Sequence, residues 1–440
     1  MITKNLVDNV LKTKLDDIPG EVKLHGQKSL LNWLGVAIGA ANHPSVDIVL
    51  SLKEELDWSE DITVLGRKEK SDMLTAALIN GMSSHIFDFD DTHLDTIHHP
   101  SGPVAPVVFA LGEKYDVAPD KLLLGFILGC EAELRISNAV YPSHYDLGWH
   151  ITSTAGVFGA TIAAAVILDM NEEELLNGLG LAGTQASGLR EMFGTMTKPF
   201  HPGKAAQNGL LSALLARKGF TSSKQVLEAK RGFANVLAPE HDLEKVNVDW
   251  GSQWELLKNS FKPYACGIVL HPSIDSCIEL NKKASPDEVV KVEITVNPYV
   301  LELTGKKEPK TGLEGKFSIY HSAAVGYLYG EAGEKQYSDD IVNSKDVTEF
   351  RKKIHPVVNN NFKEDEAHTK LTLKDGTVYE YTVKHATGSI DNPMKDEDIK
   401  LKFTSLAEPV IGSEKTKSLI DAIYNWSDLK TFDQILVHTT

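Results

Sequence analysis

TSTAGVFGATIAAAVILDM, residues Thr152–Met170, is apolar on nearly every face of a helical projection. A helix of this kind has no side to offer to water, so it predicts a segment buried on most sides. Its apolar run, Ala155 to Leu168, is too short to cross a bilayer. Glycine and alanine make up much of its surface, which lets neighbouring helices come close. Gly178, Gly180, Gly183 and Gly188 continue this small-residue style. The stretch therefore predicts the centre of a helical domain.

The pattern extends outward from there. Leu30, Leu31, Leu34, Ala37 and Ile38 recur at helical spacing, as do Leu122, Phe126, Ile127 and Cys130. The character changes after Pro263. Val290, Val292, Ile294 and Val296 alternate with Lys291, Glu293 and Thr295, a strand pattern. Leu371 and Leu373, then Asp375-Gly376, then Val378, Tyr379 and Tyr381 predict a β-hairpin on an Asp-Gly turn. Phe317 to Tyr329 predicts a helix between these strands. From Glu414 to Trp426 the helical period returns. The expected fold has two domains. One is a large all-α helical domain of residues 1–266 and 401–440, the tail packing back on it. The other is a smaller α+β domain of residues 267–400.

Composition bounds the function. The chain has 440 residues, 42% hydrophobic and 24% charged, with a formal net charge of −16. That length exceeds what one compact core serves, and the mix is that of an ordinary globular protein. No basic stripe suggests a nucleic-acid partner. An anionic substrate would need a locally positive pocket set against the overall field. The three cysteines form no CxxC pair, and the first twenty residues lack an apolar signal core. A reduced, cytoplasmic setting is the expectation, with no membrane partner.

Five segments carry candidate chemistry. The densest is HIFDFDDTHLDTIHHPSG, His85–Gly102, with four Asp and four His within fifteen residues. Burial and mutual repulsion raise carboxyl pKa values, so one Asp can stay protonated near neutrality. Histidine titrates where general acids and bases work best. A solvated charged loop is the plain alternative. A metal site is the other, although the spacing matches no metal signature such as HExxH. The second segment, GLREMFGTMTKPFHPGK (Gly188–Lys204), places Arg190, Lys198, His201 and Lys204 between helical runs. It is the best candidate for the positive pocket, since Arg grips carboxylates bidentately and Lys offers a point charge. The plain alternative is that these cations cap a helix or face water.

The third segment is FKPYAC (Phe261–Cys266) with LHPS (Leu270–Ser273), the fourth WHITST (Trp149–Thr154), and the fifth KFSIYH (Lys316–His321). Taken alone, His271, His150 and Tyr320 read as structural residues.

Together these segments resemble the MmgE/PrpD family, also described as the 2-methylcitrate dehydratase and cis-aconitate decarboxylase family. The resemblance rests on Asp88-Phe-Asp-Asp-Thr92 with His99-Pro-Ser-Gly, and on Thr197-Lys-Pro-Phe-His-Pro-Gly-Lys-Ala-Ala206. Gly148-Trp-His150 and Lys262-Pro-Tyr264 with His271 add to it, in the family's order.

The resemblance implies a large helical domain and an α+β lid domain with the site between them, a homodimer, and no metal or organic cofactor. It implies a lyase acting on a small polycarboxylate. Decarboxylation of cis-aconitate to itaconate leads, because the decarboxylase-type set Asp88, Thr92, His99, His150, Lys198, His271 and Tyr320 is present. Dehydration of 2-methylcitrate or a related hydroxy-tricarboxylate comes next, then an iminodisuccinate-type epimerisation. A metal-dependent hydrolase using the Asp/His segment is the alternative from another class. The implied roles are Lys198 and Thr92 anchoring a carboxylate with His150 assisting, Arg190 and Lys204 adding positive charge, and His99 or His271 as acid. Asp88 would orient a histidine, and Tyr320 would close the site. His98 beside His99 leaves open which of the two faces the substrate.

Overall fold

A computed structural model describes all 440 residues. The chain is mostly helical with small sheets and divides into two compact units. The first comprises Met1–Ile86, Asp90–Asn259 and Ile399–Thr440; the second comprises Phe87–Phe89 and Ser260–Asp398. No helix is long and apolar enough to cross a membrane. The three cysteines are buried thiols.

In the first unit the stretch that reads as one long helix is two: Ile151–Thr154 and Gly156–Ile167. Ala155 is the junction, where the Phe158 amide donates to the Ala155 carbonyl in a tighter turn. The second piece is buried at every position except Val166, as its all-round apolarity requires. This unit is not purely helical, for Ile62–Thr63 and Lys70–Ser71 pair antiparallel. Periodicity does not disclose pairs of two residues, because two positions carry no alternation to read.

One helix contact positions several of the candidate side chains. Helix Met73–Ile86 packs on helix Thr197–Arg217 where Gly81 faces Gly203. A Cβ on Gly203 would stand 2.2 Å from the Leu78 carbonyl oxygen, and one on Gly81 would stand 2.7 Å from Gly203 Cα. The backbones therefore touch, and no side chain fits between them. Lys198 and His201 sit on one helix within two turns of that contact, and His85 lies one turn beyond it on the other. Pro202 packs against Gly102 at the start of helix Ser101–Tyr115, and Gly156 lies against Pro103 of the same helix. The segments bearing His85, His99, His150 and His201 thus meet through small residues.

The second unit holds a four-stranded sheet in the order Ile354–Val358, Val289–Val296, Ala367–Leu373, Val378–Val383. The first pair is parallel and the other two antiparallel. The hairpin turns at Asp375-Gly376, where Gly376 has φ +86°, the conformation such turns assign to glycine. Val290 departs from the expected alternation. The register shifts between Val289 and Lys291, so Val289 takes the inward place and Val290 is 47% exposed, the effect of a bulge. Helix His271–Asn281 covers the two strands of the hairpin and packs on helix Ile319–Tyr329. Ser276 and Thr369 share a hydroxyl hydrogen bond of 2.6 Å.

Substituting Gly203→Ala should destabilise the protein by about 1–3 kcal/mol, the range for overpacking a tight contact. Thermal unfolding measures it; an unchanged midpoint would show that the helices can part without cost.

Candidate active site

The histidine-rich group of the first unit starts at the end of helix Met73–Ile86. His85 Nδ1 lies 2.6 Å from Asp90 Oδ2, with both side chains fully buried. A carboxylate oxygen accepts, so Nδ1 of His85 carries the proton. Asp90 Oδ1 lies 3.6 Å from Nδ1 of His99. One buried carboxylate therefore serves two imidazoles.

His99 donates from Nδ1 to the Asp91 carbonyl at 2.9 Å, and Thr92 Oγ1 is 3.1 Å from the same nitrogen. A carbonyl can only accept, which fixes this tautomer and makes Nε2 the working nitrogen. The Thr152 hydroxyl accepts from the His99 amide at 3.2 Å. The rings of His85 and His99 stand 4.8 Å apart, edge to face, and His150 stacks 5.6 Å from His85.

The neighbouring His98 points elsewhere. Its Nδ1 hydrogen-bonds Ser137 Oγ at 2.9 Å, and its Nε2 lies 3.3 Å from Glu133 on helix Pro119–Val140. The fold thus puts His99 in the group and leaves His98 in the helix packing. Ile97 precedes them with φ +56°. That conformation costs a β-branched residue on the order of 1–3 kcal/mol, and here it turns the chain directly ahead of the pair.

His150 and His201 share a hydrogen bond between their Nδ1 atoms at 2.9 Å, one donating and the other accepting. Phe193 lies edge-on to His150 at 5.0 Å, and the buried Lys198 ammonium sits 5.2 Å from the same Phe193 ring. Burial, then His201, His85 and Lys198 nearby, holds the His150 pKa well below its ordinary value. Burial, then His85 and Lys198, brings His201 down to about 4. Both imidazoles are neutral at pH 7, leaving the Lys198 ammonium as the cation beside them.

Asp91 is pushed up to about 7 by burial, against the hydrogen bonds of Ser101 and Asn259, with Asp90 adding repulsion. Glu133 is raised well above the ordinary range by burial and then by Asp91. A partly protonated carboxyl thus borders the backbone that holds His99, the kind of group the density of aspartates suggested.

Other sequence-predicted residues have different surroundings. Arg190 lies over the Tyr145 ring at 4.1 Å and donates to the Tyr145 carbonyl at 2.9 Å. Lys204 donates to Gln207 Oε1 at 2.6 Å, one turn along its own helix, and partial burial lowers its pKa.

Asp88, His271 and Tyr320 belong to the second unit. Asp88, expected to orient a histidine, accepts at Oδ1 from the buried Lys262 ammonium at 2.8 Å, and its carbonyl accepts from the same group at 3.0 Å. Its φ of +50° accompanies that turn. Asp90, two residues later, is the carboxylate hydrogen-bonded to His85. His271 opens helix His271–Asn281, its ring edge-on to Tyr264 at 5.3 Å. Tyr264 donates to Asp275. Tyr320 is half-buried on helix Ile319–Tyr329.

His85, Asp90 and His201 were the members whose roles sequence reasoning missed. Their signal was present, His85 and Asp90 lying in the densest Asp/His segment and His201 three residues after Lys198. Three residues there, His85, Asp90 and His99, could in principle hold a metal ion, since their ligand atoms lie within 4.8 Å of one another. The His85–Asp90 contact fits that poorly. Two ligands at about 2.1 Å from one ion stand roughly 3.0–3.4 Å apart, and 2.6 Å is hydrogen-bond distance.

The depressed His201 makes stability depend on pH. Below pH 6.5 the unfolded chain takes up a proton that the folded site accepts only near pH 4. Stability tied to His201 is therefore lost as pH falls from 6.5 towards 4. Relative to His201→Asn, the unsubstituted protein should lose about 1–2 kcal/mol between pH 7 and 4.5, allowing for partial solvent access. Asp91 acts in the opposite direction but is common to both proteins and cancels. Urea unfolding at the two pH values reads the difference, and parallel losses would show that His201 titrates normally.

Residues 4–246 match the MmgE/PrpD N-terminal domain, and residues 264–428 match the MmgE/PrpD C-terminal domain. Among curated relatives, the cis-aconitate decarboxylase of Aspergillus terreus is 25% identical, covering 96% of this chain and 92% of its own. That of Mus musculus is 25% identical over 98% and 91%. That of Homo sapiens is 26% identical over 98% and 92%. With both domains matched over most of its length, and with the Asp, His and Lys segments arranged as described, this chain belongs to the MmgE/PrpD family.

Proposed function

We propose that this protein is a lyase acting on a small polycarboxylate without a metal or organic cofactor, and that its leading reaction is decarboxylation of cis-aconitate to itaconate. One observation carries the reading: a buried Lys198 ammonium beside imidazoles held neutral, with His99 locked in one tautomer next to a shared carboxylate. The names of the similar proteins support the choice of substrate.

The chemistry asks for these parts. In cis-aconitate the bond from the methylene carbon to its carboxylate breaks and CO₂ leaves. The released electron pair forms the new terminal alkene. The old alkene pair takes one proton at the far carbon, giving itaconate. Negative charge develops at that carbon, next to a retained carboxylate, and a fixed cation lowers its energy.

Lys198 is the cation, with the Thr92 hydroxyl beside His99 and His150 contributing a neutral imidazole. His99 delivers the proton from Nε2, because Nδ1 is committed to the Asp91 carbonyl. Asp90 steadies the imidazolium form of His99 and sets the ring of His85. His271 is the second candidate acid, and Tyr320 contributes a hydroxyl. A hydro-lyase needs a similar set, using the base to take a proton and the acid to help hydroxide leave.

Lys198→Ala and His99→Ala should each lower turnover by more than about a hundredfold, the scale of a lost electrostatic or acid–base group. The fold should survive, as circular dichroism would report. Proton NMR of the enzyme with cis-aconitate, 2-methylcitrate and citrate, in separate tubes with EDTA, identifies the reaction. Itaconate formation is the expected result. A new alkene from a hydroxy acid instead would assign a dehydratase, and metal-restored activity would assign a metalloenzyme.

A further inference from the structure

The second unit contains a cleft of about 480 Å³. That is within the roughly 300–1,000 Å³ of small-molecule sites. Lys307, Lys310, Arg351 and Lys352 line it, with Glu308 the acid among the lining residues. The chain as a whole has 61 acidic against 45 basic side chains. A concentration of cations around one concavity runs against that balance. Like charges brought together repel, and a concave wall of low dielectric focuses their field.

Arg351 is the fixed element. It closes helix Lys345–Arg351 and donates to the Pro309 carbonyl at 3.4 Å and the Val342 carbonyl at 3.0 Å. Two of its five N–H donors are thereby used, and the guanidinium is held in place with the others available. The three lysines are exposed, and Lys352 is paired with Glu349 at 2.6 Å, a surface bridge weak enough to yield to an incoming anion. Thr348 and Tyr320 add hydroxyls, and His355 an imidazole. Ile354 and Pro356 of the edge strand supply an apolar wall. An anchored guanidinium, flexible ammonium groups and hydroxyls together suit an oxyanion with more than one charge.

We propose that this cleft is a binding site for a small multivalent oxyanion, of polycarboxylate or phosphate type. It differs in its residues from the histidine group of the first unit. Tyr320 is the one residue it shares with the set proposed for the reaction.

The test uses the full chain carrying Lys198→Ala, which weakens anion binding at the histidine group. Isothermal titration with citrate, and separately with pyrophosphate, is performed at low and at moderate salt. At least one of the two anions should bind with one-to-one stoichiometry, and more weakly as salt is added. Adding Lys307→Gln, Lys310→Gln and Lys352→Gln should raise the Kd at least about tenfold, the loss of several focused charges. These side chains are exposed, so the thermal midpoint should hold. Preference for citrate or for pyrophosphate tells a polycarboxylate from a phosphate ligand. Absence of binding by both anions, or a Kd unmoved by the three substitutions, overturns the proposal. Either result leaves the lyase reading intact, since that stands on turnover in the Lys198 and His99 variants.

Discussion

Helices Met73–Ile86 and Thr197–Arg217 come close enough at Gly81 and Gly203 for backbone to touch backbone, and the histidine group depends on that spacing. A side chain at either glycine would move the helices apart by its own width. His85 on one helix, and Lys198 and His201 on the other, would then separate. Gly156 against Pro103 holds the segments after His99 and His150 in the same way. The small-residue style of this unit is therefore a condition for bringing several polar side chains together in a packed interior.

Burial then decides what those side chains do. A charged imidazole in this interior lacks water, so His150 and His201 are neutral at pH 7. A buried carboxylate with too little compensating charge takes up protons more readily, as Asp91 and Glu133 do. Asp90, the neighbour of Asp91, lies against two imidazoles instead, those of His85 and His99. Neighbouring positions in one short segment thus acquire different chemistry from their surroundings alone. The same principle, with opposite charge, marks the cleft of the second unit, where cations gather around an anchored Arg351.

Much of the secondary structure could be read directly. The hairpin on Asp375-Gly376, the strand ending at Val296, the helix ending at Tyr329 and the helix of the tail follow from period and turn chemistry. The exceptions have local causes. Val290 faces out because a bulge shifts the register, and the long helix breaks at Ala155, between Thr152-Ser153-Thr154 and Gly156, residues of low helix propensity. Hydrophobic pattern marks neither event, since Thr152, Ser153 and Thr154 are buried like the apolar residues after Ala155 and Val289-Val290 offers two valines for one inward place.

The residue types of the site, their order and their likeness to a family were in the amino-acid sequence by itself, because motifs are local and survive as strings. Which nitrogen of His99 holds a proton, why His98 turns away, and how Asp90 comes to meet His85 while Asp88 meets Lys262 were decided only by tertiary structure. Several of these partners lie far along the chain, Ser137 for His98, Lys262 for Asp88 and His201 for His150, and even the nearer ones, Asp91 for His99 and Asp90 for His85, are set by how the loop folds. Hydrogen bonds and desolvation act through space over a few ångströms, so the sequence names the groups and the packed fold assigns their partners.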